Sequence, residues 1–257
     1  MIYVYPSPGK GKSIQLCNLF VAGCKGRIIR DKKELINGPA AFYGMTDYTM
    51  CLIKQAIDSG RDWYYIDNGY FGRSKFFRIT KNNFQHYKIG KPKVSNYERW
   101  KHHKVPLEPW KKDGNHILVC PPGIEFSRLM DINRDAWIEN TLSHLKEFTD
   151  RELRVRAKPS PMELKLDPNS LYNDLRKCHA LVTTHSNAAV NALCYGVPCF
   201  TTMKCGAYPL SLHDLSLIEE PIYPENREEW AIYLSGSQWR RCEIGKGMAW
   251  RVINGFR

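Results

Sequence analysis

Twice along this chain an apolar run stops at a turn of proline and glycine and passes into helical spacing, and that repeated pattern restricts the fold more than any other feature. Ile2-Tyr3-Val4-Tyr5 stops at Pro6-Ser7-Pro8-Gly9, after which Ser13, Leu16, Leu19 and Phe20 follow with helical spacing as far as Ala22-Gly23. After Asp113-Gly114 the pattern restarts, with His116-Ile117-Leu118-Val119-Cys120 running into Pro121-Pro122-Gly123. Short apolar strands alternating with helices are what a parallel sheet covered on both faces requires. The pattern predicts an α/β chain of two Rossmann-like domains, 1–113 and 114–257, with the boundary near 112–115.

Other elements follow from the same reading. Arg27-Ile28-Ile29 predicts a strand, Ala41-Phe42-Tyr43-Gly44 a turn region, Asp47 to Ser59 an amphipathic helix closed by Gly60, and Trp63-Tyr64-Tyr65-Ile66 a buried strand ending in Asp67-Asn68-Gly69. Residues 70–113 have little periodicity and predict an irregular insertion or a wrapped binding loop. In the second half, helical spacing covers Arg134 to Phe148, Ser170 to Cys178 and Ala188 to Tyr195. Strands are predicted at Leu153–Arg156, Ala180–Thr184 and around Cys199-Phe200, and tryptophan-rich helices in the tail from Glu219.

Charge separates the halves. Residues 1–113 carry 21 Lys and Arg against 9 Asp and Glu, whereas 114–257 carry 17 of each, so the whole net charge of +12 is N-terminal. The excess is densest in 71–113, where Phe71, Phe76, Phe77, Phe84, Tyr87, Tyr97, Trp100 and Trp110 interleave with the basic side chains. Cations along a phosphate backbone with aromatic faces for bases are a way to hold nucleic acid, and a solvated basic face over an ordinary aromatic core is the alternative. No apolar run approaches the roughly 20 residues of a membrane span, and the N-terminus lacks the apolar core of a secretory signal. The nine cysteines are scattered without a C-x-x-C pair, which predicts free thiols and a cytoplasmic setting, bacterial or in a virus-infected host.

The strongest local signal is Thr183-Thr184-His185-Ser186-Asn187-Ala188-Ala189, a strand-to-helix junction. Such a turn points hydroxyls, backbone N–H groups and the positive end of a helix dipole at whatever lies over the strand ends, so a phosphate could sit there without a metal. Simple capping of the helix by Ser186 or Asn187 explains the same residues. Gly123 closes the corresponding turn after the first strand of this half. Asp67, at a strand end, is the carboxylate available as a general base, although Asp-Asn-Gly is also a common turn.

Arg156-Ala157-Lys158-Pro159-Ser160-Pro161, a helix, and then LVTTHSNAAVNALCYGVPCF resemble the donor half of GT-B glycosyltransferases, in particular the bacterial capsule-synthesis and Kdo-transferase group. Tyr65-Ile66-Asp67-Asn68-Gly69-Tyr70-Phe71-Gly72-Arg73 is similar to the acidic, acidic, glycine, aromatic stretch of that group. The resemblance implies two Rossmann-like domains facing a cleft, a C-terminal helix crossing back to the first, and a nucleotide sugar as co-substrate with no other cofactor. It implies donor contacts from Lys158, Ser160, His185, Ser186 and Asn187, with Asp67 as the base, and Gly123 of the glycine turn is a further donor-contact candidate. The chain departs from the pattern twice: Ser160 stands where the group has histidine, and Asn68 where it has the second acid.

Pro6 to Ser13 ends in Gly-Lys-Ser as a P-loop does, but the first glycine of that signature falls on Pro6, and Pro8 removes an N–H from the phosphate cradle. A basic loop lining the acceptor side is the better reading, with Lys10, Lys12, Arg73, Arg78 and Lys81 as acceptor contacts. His102-His103 lack ligands at metal spacing, and no Asp-x-Asp element is present, so a metal-independent site is expected. The sequence predicts a glycosyltransferase acting on a polyanionic acceptor, hydroxymethylated pyrimidine in DNA first. Surface polysaccharide (capsule or lipopolysaccharide) is the alternative, and a non-catalytic nucleic-acid-binding protein on a transferase scaffold a third.

Overall fold

A computed structural model describes residues 1–72, 74–90, 94–167 and 169–255. In chain order the strands and helices are β1 (Tyr3–Tyr5), α1 (Gly11–Cys24), β2 (Arg27–Ile28), β3 (Ala40–Tyr43), α2 (Asp47–Asp58), β4 (Trp63–Asn68), β5 (Phe76–Lys81) and α3 (Val94–His103). They continue with β6 (His116–Cys120), α4 (Ile124–Leu129), α5 (Arg134–Lys146), β7 (Glu152–Val155), α6 (Pro161–Leu166), α7 (Ser170–Leu175), β8 (Cys178–Thr183), α8 (Asn187–Cys194) and β9 (Cys199–Thr201). The chain closes with α9 (Arg227–Gly236), β10 (Gln238–Arg240), α10 (Arg241–Gly245) and α11 (Met248–Ile253). Two compact units form, one from Met1–His86 with Leu234–Arg257, the other from Tyr87–Tyr233.

The first unit is built on a sheet of order β10-β5-β4-β3-β1-β2. β1 pairs in parallel with both β2 and β3, β3 with β4, and the β4–β5 and β5–β10 pairs are antiparallel. Leu16, Cys17 and Phe20 of α1 meet Val4, Tyr64, Ile66, Phe77, Ile79 and Trp239 in one core. Lys25, in the left-handed region at φ 53°, ends α1, and a capping box of Thr46 and Thr49 starts α2.

Several expectations are corrected here. Residues 40–43 form β3, an interior strand with Ala40, Ala41 and Phe42 buried, because only Gly44 at φ +68° makes the turn. Residues 70–113 are not irregular throughout: they contain β5 and α3. Phe71, Phe76 and Phe77 are core side chains rather than faces open to a base. In the tail, Gln238–Arg240 form a strand against β5.

That tail belongs to the first unit. α10 and α11 pack on α1 where glycines allow close approach: a Cβ on Gly23 would stand 2.2 Å from the Ile244 carbonyl oxygen. With the tail included, the first unit holds 18 Lys and Arg against 7 Asp and Glu, the second 20 against 19, so the charge asymmetry follows the packed units.

The second unit has an all-parallel sheet of order β7-β6-β8-β9. Ile117, Val119, Ala180, Val182 and Phe200 from the strands meet Leu145 of α5 and Ile218. Residues 104–113 pack here: Glu108 N–H donates to the Cys194 carbonyl and Lys111 N–H to that of Gly196, 2.9 and 2.7 Å. Arg227 binds the carbonyls of Leu193 and Glu108 and lies 4.1 Å over the Trp110 ring. Burial pushes the thiols of Cys120, Cys178 and Cys194 up to about 12, marking them as small core residues. Among the described residues no helix is long and apolar enough to cross a membrane.

Candidate functional site

In the second unit β6 is followed in the chain by β7 on one side, while β8 lies on its other side. The carboxyl ends of β6 and β8 therefore flank a topological switch point, where open α/β sheets leave a crevice for ligands. The turn after β6 ends at Gly123, which precedes α4; the turn after β8 ends at Ser186, the cap of α8, whose hydroxyl accepts from Ala188 N–H at 3.2 Å. The two turns touch. The His185 imidazole stacks on Phe126 of α4 with centroids 3.4 Å apart and planes inclined 28°, and the Thr183 hydroxyl donates to the Cys120 carbonyl at 2.7 Å. Thr184 Oγ1 lies 3.1 Å from His185 Nδ1. Asn187 Oδ1 is enclosed and makes no hydrogen bond among the described residues.

Gly123, His185, Ser186 and Asn187 thus lie on two adjoining turns at the switch point, beside the positive end of α8. Lys158 and Ser160 follow β7, on the far side of β6, and both are exposed. The Ser160 hydroxyl accepts from Glu163 N–H at 3.2 Å while Glu163 accepts from Ser160 N–H at 2.6 Å, a capping box that starts α6. Arg156 anchors the beginning of this segment through Asp174 and, at 2.8 Å, the Ser170 hydroxyl. Phe126 had no motif to reveal it; its only sequence signal is an aromatic three residues after the glycine turn.

In the first unit the predicted base lies near the end of β4. Asp67 and Asn68 are consecutive in the strand and so address opposite faces of the sheet. Asn68 Oδ1 accepts from Lys12 Nζ at 2.8 Å on the α1 face, where the ammonium lies 5.1 Å from the Phe77 ring centre. Asp67 Oδ2 takes a 2.6 Å ion pair from Arg78, and its Oδ1 accepts from Asn68 N–H at 2.7 Å, with 27% of the side chain exposed. A carboxylate has about four acceptor positions, and these two contacts among the described residues leave others open.

Arg78, expected as an acceptor contact, is a buried side chain that anchors the strand end. It is 7% exposed, binds Asp67 and the carbonyls of Asn68 and Phe84, and lies over the Tyr70 ring. Burial, and then the Arg78 charge, push the His86 imidazole down to about 3, so it is neutral next to Tyr70. Lys81 sits at the opposite end of β5, beyond Asp67's reach, and pairs with Asp62 at 2.6 Å. Lys10 is exposed just before α1, and Arg73 lies outside the described residues. Among the described residues no three His, Cys, Asp or Glu side chains come together as a metal site.

No protein-family model matches this chain, and no curated protein matches it. Among solved structures it is similar to Thermosulfurimonas dismutans KpsC, beta Kdo 2,4 transferase, with a TM-score of 0.51 and 10% identity over 90% of this chain and 89% of that chain. It is also similar to Thermosulfurimonas dismutans KpsC, beta Kdo 2,7 transferase, with a TM-score of 0.50 and 14% identity over 96% of this chain and 98% of that one. At these identities the likeness shows a shared Rossmann-like fold and nothing finer.

Proposed function

We propose that the chain is a glycosyltransferase that moves a sugar from a nucleotide donor to a hydroxyl of an anionic surface polysaccharide, without a metal. The observation that carries this reading is the fold shared with two Kdo transferases over nine-tenths of the chain. The switch point between the ends of β6 and β8 supports it, because the N–H groups opening α8 suit the donor phosphate. Lys158 would add charge from the neighbouring segment.

In the proposed reaction the acceptor oxygen forms the new bond to the anomeric carbon as the bond to the donor phosphate breaks. The electron pair of that bond leaves on the phosphate oxygen, and the hydroxyl proton passes to the Asp67 carboxylate. The excess of 11 positive charges in the first unit favours an anionic acceptor.

DNA with hydroxymethylated pyrimidine is the second reading, favoured by charge alone, since Phe71, Phe76 and Phe77 are committed to the core. The test is incubation with a panel of nucleotide sugars and either acidic oligosaccharide or hydroxymethylated DNA, followed by mass spectrometry. A hexose- or acid-sugar-sized gain on the oligosaccharide supports the reading, a gain on DNA transfers it to the second acceptor, and no gain on either with any donor overturns it.

A further inference from the structure

Three polar residues far apart in the chain stand in one row across three strands. Asp67 of β4 is directly opposite Arg78 of β5, and Arg78 is directly opposite Gln238 of β10. Directly opposed residues of antiparallel strands project to the same face, so all three share one. Gln238 is completely buried. Its amide oxygen accepts from Phe71 N–H at 3.1 Å and its amide nitrogen donates to the Phe71 carbonyl at 3.0 Å, so one side chain occupies both backbone groups of one residue as a neighbouring strand would. The fit extends to Gly69, where a Cβ would stand 2.5 Å from the Gln238 amide oxygen.

We propose that Gln238 is a positioning residue for the base, a latch by which the C-terminal strand seats the turn 69–71 and thereby aims the carboxylate of Asp67. The inference rests on Asp67 being the base, as proposed above. Arg78 grips the segment from the strand side, through the Asp67 carboxylate and the Asn68 carbonyl, while Gln238 grips it from the turn side at Phe71. Between the two, the chain from Asp67 to Phe71 has little room to shift along the strand. Transfer chemistry is sensitive to such shifts, since about 1 Å of misplacement can cost on the order of 100-fold in rate. Loss of Gln238 therefore acts on turnover and leaves the donor crevice, built entirely from the second unit, as it was.

Two full-length variants separate this role from general stability. Gln238→Met keeps the length and removes both hydrogen bonds; Gln238→Glu keeps an acceptor for Phe71 N–H and removes the donor to its carbonyl. Amide exchange at Phe71 is measured by NMR or mass spectrometry, and kcat and the donor KM are measured in the transfer reaction. The expected result is Phe71 exchange at least about tenfold faster in Gln238→Met, a kcat at least about tenfold lower, a donor KM within about twofold of the parent, and a smaller loss in Gln238→Glu. Parental exchange at Phe71 or parental kcat in folded Gln238→Met overturns the proposal. Should Gln238→Met not fold, Gln238→Glu carries the test alone, and parental values of exchange or kcat in it overturn the proposal equally. If Asp67→Asn keeps full turnover while Gln238→Met still frees the Phe71 amide, the base assignment has failed and the seating of the turn has not.

Discussion

His185 lies face to face with Phe126, ring centroids 3.4 Å apart, and this contact ties the turn after β8 to the helix after β6. With Thr184 Oγ1 beside Nδ1, both the plane and the rotation of the imidazole are defined. Phe126→Ala is expected to release the ring and weaken nucleotide-sugar binding by about tenfold, since an aromatic contact contributes about 0.5–1.5 kcal/mol beyond burial. Calorimetric titration of the variant checks this, with His185→Ala as reference. Unchanged affinity in both would remove the imidazole from the donor site.

Asp67→Asn keeps an oxygen for Arg78 and removes the proposed proton acceptor. Turnover is expected to fall by about 10²–10⁴-fold with the fold intact, as judged by circular dichroism and melting. Full turnover in the variant places the base elsewhere.

Gly196 adopts φ +74°, and a Cβ there would stand 2.0 Å from the Pro109 carbonyl oxygen. Gly196→Ala is therefore expected to destabilise the second unit by about 1–3 kcal/mol or more, read from urea unfolding. An unchanged midpoint would mean that residues 104–113 do not pack on α8.

His116 and His179 are buried, and desolvation lowers both imidazole pKa values, against the opposing hydrogen bonds to the carbonyls of Asp174 and Ile218. A lowered folded-state value means that the unfolded chain binds protons first as pH falls. Their contribution is fully present above the unfolded value near 6.5 and declines below it, by up to about 1.4 kcal/mol per pH unit for each. Urea midpoints measured from pH 7.5 to 5 should fall, and should fall less in His179→Gln; a flat profile in the parent contradicts the burial.

The parallel strands were the legible part of this molecule. β6 and β8 are buried on both faces and so read as mostly apolar runs, and the turns that end them carry Gly123 and Ser186, the residues proposed for the donor site. The antiparallel edge was not legible. β5 contains Arg78 amid basic sequence, and a buried arginine looks the same in sequence as an exposed one until its partner across the sheet is known. β10 has three residues and pairs with a strand some 160 positions earlier, so nothing local announces it. For the same reason Asp67 could be proposed from its surroundings in sequence, whereas the pairing of Arg78 with it and the bonds of Gln238 to Phe71 could not.

The proposed donor site is tested most directly by the hydrogen-exchange footprint of a bound nucleotide sugar, taken over a panel of such donors. The account predicts that at least one donor slows exchange in residues 121–127 and 184–190 together, the two turns joined by Phe126 and His185. Binding that protects neither turn, or protection confined to residues 1–86, would contradict it.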